Sequence, residues 1–294
     1  MSRQRTIRES LSASGIGLHS ANRVDMTLRP APIDSGIIFR RSDQGKEFRA
    51  QAQLVRDTTL CTALVHGNSR VATIEHLMSA LMGLGIDNII IELSAPEVPI
   101  MDGSSAPFVY MLQRAGIREQ DAAKRFIVID KPIEVVEENK WAKLLPHEGF
   151  RLDFTIDFNH PVFRHRNNFY RLDFSTGDYI REISRARTFG FLRDIETLHN
   201  MGLALGGNLD NAVVVDDFRV MNEHGLRFDD EFVRHKLLDA LGDMYLVGAP
   251  LLGWYQGYRS GHDLNNKLCL ALLNNPGHWH YQSFEDNELI NYNF

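Results

Sequence analysis

Apolar and polar residues alternate in Val24-Asp-Met-Thr-Leu28, the period of a strand with one buried face, and Gly36-Ile-Ile-Phe39 follows as a second strand after a Pro/Gly turn. The period then changes. Ile74, Leu77, Met78 and Leu81 recur at helical spacing, with Thr73 as the expected N-cap and Gly83 and Gly85 as terminators. Residues 88–93 are strand-sized, and 104–115 predict another helix. Pro107 sits in its first turn, where a missing N–H is tolerated, and Gly116 ends it.

A second cycle begins near Lys124. Residues 125–130, 133–136 and 150–158 read as strands; a helix over 229–245, a strand over 251–258 and a helix over 263–273 follow. Strands, helix, strand, helix thus occurs twice without a residue-level repeat. The order predicts two similar α+β domains, 1–120 and 121–294, with the charged stretch 118–124 as the boundary.

At 294 residues, 44% hydrophobic and 24% charged, the chain has the length and composition of a soluble protein of two domains. A net charge of -6 gives no support for a nucleic-acid partner. No apolar run is long enough to span a bilayer, and the charged N-terminus has no apolar stretch behind it, so no signal peptide is expected. Cys61 and Cys269 are too few for a disulfide framework or a cysteine-based zinc site; reduced thiols and a cytoplasmic location are expected.

The most informative segment is Phe232-Val-Arg-His-Lys-Leu-Leu-Asp-Ala-Leu-Gly-Asp243. On a helix His235, Asp239 and Asp243 share one face, and an imidazole and a carboxylate four residues apart can hold one divalent metal. The same spacing also describes a solvated face with an i,i+4 ion pair. His76 is on the corresponding helix of the first half. If the halves pack face to face it becomes a third ligand, leaving zinc an open position, and Glu75 becomes a carboxylate able to take a proton from water. The plainer alternative makes Glu75 an acid complementing the helix dipole and His76 a partly buried helix residue. His262 opens the last helix after a glycine turn; it is either a general acid oriented by Asp243 or an ordinary polar residue at a helix start. His278 and His280 read as surface residues on a loop.

Ala72-Thr-Ile-Glu-His-Leu77, Ile100-Met-Asp-Gly-Ser104, Phe154-Thr-Ile-Asp-Phe-Asn-His-Pro161, Ile183-Ser-Arg-Ala-Arg-Thr-Phe-Gly190, Glu231 through Asp243 and Tyr258-Arg-Ser-Gly-His262-Asp-Leu-Asn-Asn-Lys267 carry a resemblance. From Arg5 onward the chain resembles the UDP-3-O-acyl-N-acetylglucosamine deacetylases of Gram-negative bacteria.

That resemblance implies a zinc amidase catalysing the committed step of lipid A biosynthesis, with one Zn²⁺ per chain, or Fe²⁺ in cells. The implied ligands are His76, His235 and Asp239, with Glu75 as general base. His262, oriented by Asp243, would be acid and oxyanion partner, and Thr188 would hydrogen-bond the oxyanion. Lys236 and Phe189 match substrate-contacting positions; Lys140 and Phe158 match positions near the nucleotide. The implied fold is two β-β-α-α-β domains with their helical layers facing each other and a small insert in each. The second insert, within 193–216, would form an acyl passage lined by Ile195, Leu203 and Val214, residues that ordinary core packing would explain as well. Thr59 stands where an apolar residue is expected near the acyl group. The implied partner is the UDP-sugar substrate, on a monomer not integral to a membrane. Two other readings are an amidase for a different N-acetyl sugar or a peptide, and a non-catalytic nucleotide-sugar binding protein. Retention of Glu75, His76, Thr188, His235, Asp239 and His262 argues against a binder, which needs neither base nor acid.

Overall fold

Val24, Met26 and Leu28 are buried while Asp25 and Thr27 turn outward, so the alternation at 24–28 is a strand with one face in the core. The computed structural model describes residues 2–284. Its first half runs β1 (Arg3–Ile7), β2 (Leu11–Ile16), β3 (Arg23–Pro30), β4 (Ile37–Arg41), β5 (Lys46–Arg49), β6 (Val55–Asp57), β7 (Ala63–His66), β8 (Ser69–Val71), α1 (Glu75–Gly83), β9 (Ile89–Leu93), α2 (Ala106–Ala115) and β10 (Ile117–Ala123). The main sheet has the order β2-β3-β9-β4-β5, with β4 and β9 parallel and the other neighbours antiparallel. A small meander, β6-β7-β8, leads into α1.

The second half contains β11 (Phe126–Ile129), β12 (Ile133–Glu137), β13 (Lys140–Leu145), β14 (Phe150–Thr155), β15 (Phe169–Asp173), a short α3 (Thr176–Asp178), β16 (Phe189–Phe191), α4 (Ile195–Asn200), β17 (Val213–Val215), α5 (Glu231–Met244), β18 (Leu251–Tyr258), α6 (His262–Leu273) and β19 (Trp279–Gln282). Strand β18 organises its sheet: it pairs antiparallel with β13 and parallel with both β14 and β11. The segment between β16 and β17 is an insert whose two strands pair in parallel, Gly190 opposite Val214.

Helix α1 packs against α5, α5 lies on β14, and α6 lies on β12 and β13. Every residue of α1 is buried, as are most of α5. A helix apolar or shielded all round needs neighbours on every side, and here each helix is covered by the other half's. The crossing is close because α5 offers a glycine: a Cβ at Gly242 would lie 2.1 Å from the Glu75 carbonyl oxygen and 3.0 Å from the Ser79 amide nitrogen. This is the mixed α+β architecture with facing helical layers.

Several local expectations change. Thr73 does not cap α1; its φ of 56° is left-handed and its hydroxyl donates to Glu97 Oε1 at 3.0 Å, so the helix begins at Glu75. Residues 117–123 form β10, a strand not expected there, which pairs antiparallel with β1. The strand expected over 150–158 stops at Thr155. His280 is exposed but sits in β19, not in a loop, because that strand pairs with β11. The end of the expected second domain, residues 285–294, lies outside the described residues.

Candidate active site

Where α1 meets α5, polar side chains replace the apolar stripe. His76 Nε2 lies 3.5 Å from Asp239 Oδ1, and His235 Nε2 lies 3.3 Å from the same oxygen. All three residues are buried, and one ligand atom from each lies within 4.8 Å of the others. The hydrogen bonds leave these atoms free. His235 Nδ1 donates to the Ala186 carbonyl at 3.0 Å, which fixes the tautomer with a lone pair on Nε2. Lys236 Nζ donates to Asp239 Oδ2 at 2.8 Å, whereas buried Oδ1 has no hydrogen-bond partner among the described residues. A buried carboxylate oxygen without a partner, facing two imidazole nitrogens, is costly unless a cation joins them. The set fits a metal ion. Burial favours the neutral form of His235 and takes its pKa down to about 3. Burial also opposes ionisation of Asp239, yet the surrounding imidazoles and the Lys236 ammonium hold its carboxyl well below the usual carboxylate range. Both directions suit ligation, which requires neutral imidazole and ionised carboxylate.

Beside this set stand Glu75 and His262, with 3.9 Å between Glu75 Oε1 and His262 Nε2. Helix α6 begins at His262, after the extended Gly261, so its first side chain turns back toward α5. His262 Nδ1 donates to Asp243 Oδ2 at 3.0 Å, and Asn265 donates to the same oxygen at 2.9 Å. Asn265 is fixed by Tyr255 and Ser260, whose hydroxyls donate to its Oδ1 at 2.8 and 2.7 Å. Thr62 supplies its amide to Glu75 Oε2 at 3.0 Å and its hydroxyl to Asp243 Oδ1 at 2.6 Å. Burial raises the Glu75 carboxyl above its usual range. Burial disfavours charged His262, but the Asp243 and Glu75 carboxylates outweigh it and bring that imidazole up to about 9. The pair therefore combines a proton acceptor with a cationic donor over a wide pH range.

Thr188 enters from the strand side. Its N–H donates to the Gly103 carbonyl at 2.8 Å and its carbonyl accepts from Val213 N at 2.8 Å. Gly103 must be glycine there: its φ is 84°, and a Cβ would meet the Asn211 carbonyl oxygen at 2.1 Å. Next to Thr188, Arg187 is locked to buried Glu231 by an ion pair of 2.8 Å. Phe189 lies against Phe232 with ring centres 4.9 Å apart, and Phe158 meets Phe189 edge-on at 5.7 Å. Lys236 Nζ is 6.0 Å from the Phe189 ring centre, so these residues form one wall beside the metal-fitting set.

The remaining candidates are more dispersed. Lys140 sits at the start of β13, paired with Glu137 at 2.9 Å, and Glu137 also pairs with Lys267 of α6. Ile195, Leu203 and Val214 all fall in the insert and are half-buried. Thr59 is exposed, its N–H donating to Asp57 Oδ1 at 3.0 Å. The insert is sealed to the first half: Gly206 N donates to Leu18 O at 2.9 Å and Ala204 N to His19 Nδ1 at 3.3 Å. Sequence reasoning missed Thr62, Asn265 and the Ala186 carbonyl. Ordinary polar residues and backbone groups carry no spacing signal; only the fold brings them to the site.

Residues 4–274 match the protein family described as UDP-3-O-acyl N-acetylglycosamine deacetylase (LpxC). The chain belongs to that family. It is 56% identical over 288 residues to the UDP-3-O-acyl-N-acetylglucosamine deacetylase of Xanthomonas campestris pv. campestris, covering 97% of this chain and 95% of the relative. The enzyme of the same name from Chromohalobacter salexigens gives the same identity and coverage. That of Histophilus somni is 55% identical over 293 residues, covering 99% of this chain and 96% of the relative. Among the described residues no helix is long and apolar enough to cross a membrane.

Proposed function

We propose that this chain is a zinc-dependent amidohydrolase. It removes the N-acetyl group of UDP-3-O-acyl-N-acetylglucosamine to give the free amine and acetate, the committed step of lipid A biosynthesis. It acts in the cytoplasm as a monomer, with a first domain of residues 1–120 carrying Glu75 and His76. The second domain carries His235, Asp239 and His262. One observation supports this reading above the rest: an ionisable base and a cationic imidazole stand 3.9 Å apart beside a buried His-His-Asp set with an unpartnered carboxylate oxygen.

His76, His235 and Asp239 would hold one Zn²⁺ per chain, or Fe²⁺ in cells, which when bound supplies Lewis acidity toward water and the acetyl oxygen. Glu75 takes a proton as water adds to the acetyl carbon. The Thr188 hydroxyl and imidazolium His262 would serve the oxygen that gains negative charge, and preorganised donors need no rearrangement as charge develops. When the carbon–nitrogen bond breaks, His262 gives its Nε2 proton to the departing amine, and acetate leaves. Asp243 and Asn265 hold the ring so that Nε2 points at the reaction. Lys236 and Phe189 form the wall for the sugar, with Phe158 and Lys140 toward the nucleotide and the insert toward the acyl chain.

The test is acetate release from UDP-3-O-acyl-N-acetylglucosamine before chelation, after it, and after zinc is returned. Loss and recovery are expected. Activity indifferent to chelation overturns the metal, and no acetate from metal-replete protein overturns the substrate.

A further inference from the structure

Thr62 touches both carboxylates on which the proposed reaction depends. It lies in the turn between β6 and β7 and is 1% exposed. Its N–H donates to Glu75 Oε2 at 3.0 Å, its hydroxyl donates to Asp243 Oδ1 at 2.6 Å, and its carbonyl accepts from Ile74 N at 3.4 Å. Glu75 belongs to the first half and Asp243 to α5 of the second, so one residue spans the seam between the general base and the group that orients the general acid.

We propose that Thr62 is a positioning residue that registers Glu75 against the Asp243–His262 pair. This rests on the acid–base reading above. Asp243 Oδ2 is engaged by His262 and Asn265, and the Thr62 hydroxyl engages Oδ1. Remove that donor and a buried carboxylate oxygen is left unpaired, free to turn and carry the imidazole with it. A threonine suits the task because its branched Cβ restricts χ1, so amide and hydroxyl stay aimed in two fixed directions. Gly242 sets the approach of the two helices, with a Cβ there only 2.1 Å from the Glu75 carbonyl. Thr62 then fixes the side chains within that approach. Thr62 is not itself placed against substrate.

The variant Thr62→Val keeps the shape and the amide but removes the hydroxyl. Its kcat is expected to fall about tenfold to a hundredfold, the worth of a hydrogen bond to a charged group, with KM within about twofold of the parent. Thr62→Ser keeps a donor and should recover most of the lost kcat. Thr62→Ala is the second truncation, should the valine variant fold poorly. In an Asp243→Asn background, adding Thr62→Val should cost less than about threefold more, because both changes act through one carboxylate. Wild-type kcat in both truncations, failure of serine to rescue, or fully multiplicative losses with Asp243→Asn would each overturn the proposal. Glu75→Gln and His262→Gln are measured alongside. If both retain full activity, the acid–base reading itself has failed; if both are inactive while the Thr62 truncations are not, only the role of Thr62 has.

Discussion

His262 points its two ring nitrogens at carboxylates from opposite halves of the molecule: Nδ1 donates to Asp243 at 3.0 Å and Nε2 stands 3.9 Å from Glu75. The base and the acid are therefore coupled before any substrate arrives. Two negative groups hold the imidazole protonated up to about 9, although burial alone would empty it of its proton. Glu75 is raised by burial, but the His262 charge works against that rise. Between the two titrations both groups are in the states that the proposed hydrolysis needs.

Glu75→Gln removes the proton acceptor while leaving size and the Thr62 contact nearly intact. General-base removal costs about 10²–10⁴ in rate, and a loss in that range is expected in kcat. Glu75 is outside the ligand set, so metal content should stay at the parent level. Near-parental turnover, with metal verified by elemental analysis, would exclude Glu75 as the base.

His235→Ala removes one of three donors and leaves the Ala186 carbonyl without its partner. Metal bound per chain should fall well below one. The matched control is His280→Ala, an exposed histidine of β19 paired with Asp130 at 2.8 Å, which should bind metal as the parent does. Equal metal retention in both would remove His235 from the site.

The pH profile follows from the same geometry. His262 must be protonated to act, so kcat/KM is expected to fall as pH rises through about 9. Asp243 is the leading charge that raises it, and Asp243→Asn should move this basic limb to lower pH, back toward the ordinary histidine value of about 6.5. The acidic limb, where Glu75 gains a proton, lies above the usual carboxylate range because burial raises that group. A basic limb that does not move in the variant assigns the titration to another group.

Gly242→Ala tests the helix crossing. The added Cβ would sit 2.1 Å from the Glu75 carbonyl oxygen, a backbone atom that cannot step aside. Overpacking of this sort costs about 1–3 kcal/mol, read as a lower urea midpoint, and kcat should fall with it because α1 carries Glu75 and His76. Gly277→Ala, with nothing within 4 Å of its Cβ, is the control. Equal midpoints for the two variants would mean that the crossing is loose.

Much of this was legible in the chain, and unevenly. The i, i+4, i+8 spacing of His235, Asp239 and Asp243 placed them on one face, and the repeated element order paired that face with His76. Long periodic helices speak through many residues at once. The short strands β6, β7, β8, β16 and β17 do not, since each has three or four residues whose pairing is decided by distant partners. Thr73 misled because a threonine before an apolar stripe normally caps a helix, whereas here buried Glu97 draws its hydroxyl and the backbone turns left-handed. The charged stretch 118–124 carried little strand signal for a related reason: charge marks solvent exposure, and β10, an outward-facing strand paired with β1, is built from such residues. Thr188 and Phe189 came only from the family resemblance. Nothing in their spacing distinguishes a turn residue and a core aromatic from the positions that Gly103 and Phe232 give them.

The insert is the part whose role most needs measurement. Its parallel pair aligns Val214 with Gly190, next to Phe189 opposite Val213, and its return loop is fastened to the first half through Gly206 and Leu18. Leu205 and Leu209 remain nearly half exposed on that loop, at 46% and 47%, more than a loop serving only as core would leave open. If this segment accepts the 3-O-acyl chain, each methylene buried contributes about 0.8 kcal/mol, and part of that should reach the transition state. Shortening the acyl chain should then lower kcat/KM in steps. Val214→Trp should obstruct long chains more than short ones, compressing the ratio between them while acetate release from the shortest substrate stays near the parent. A ratio that is flat across the acyl series in both proteins would make this segment ordinary packing and put the acyl chain elsewhere.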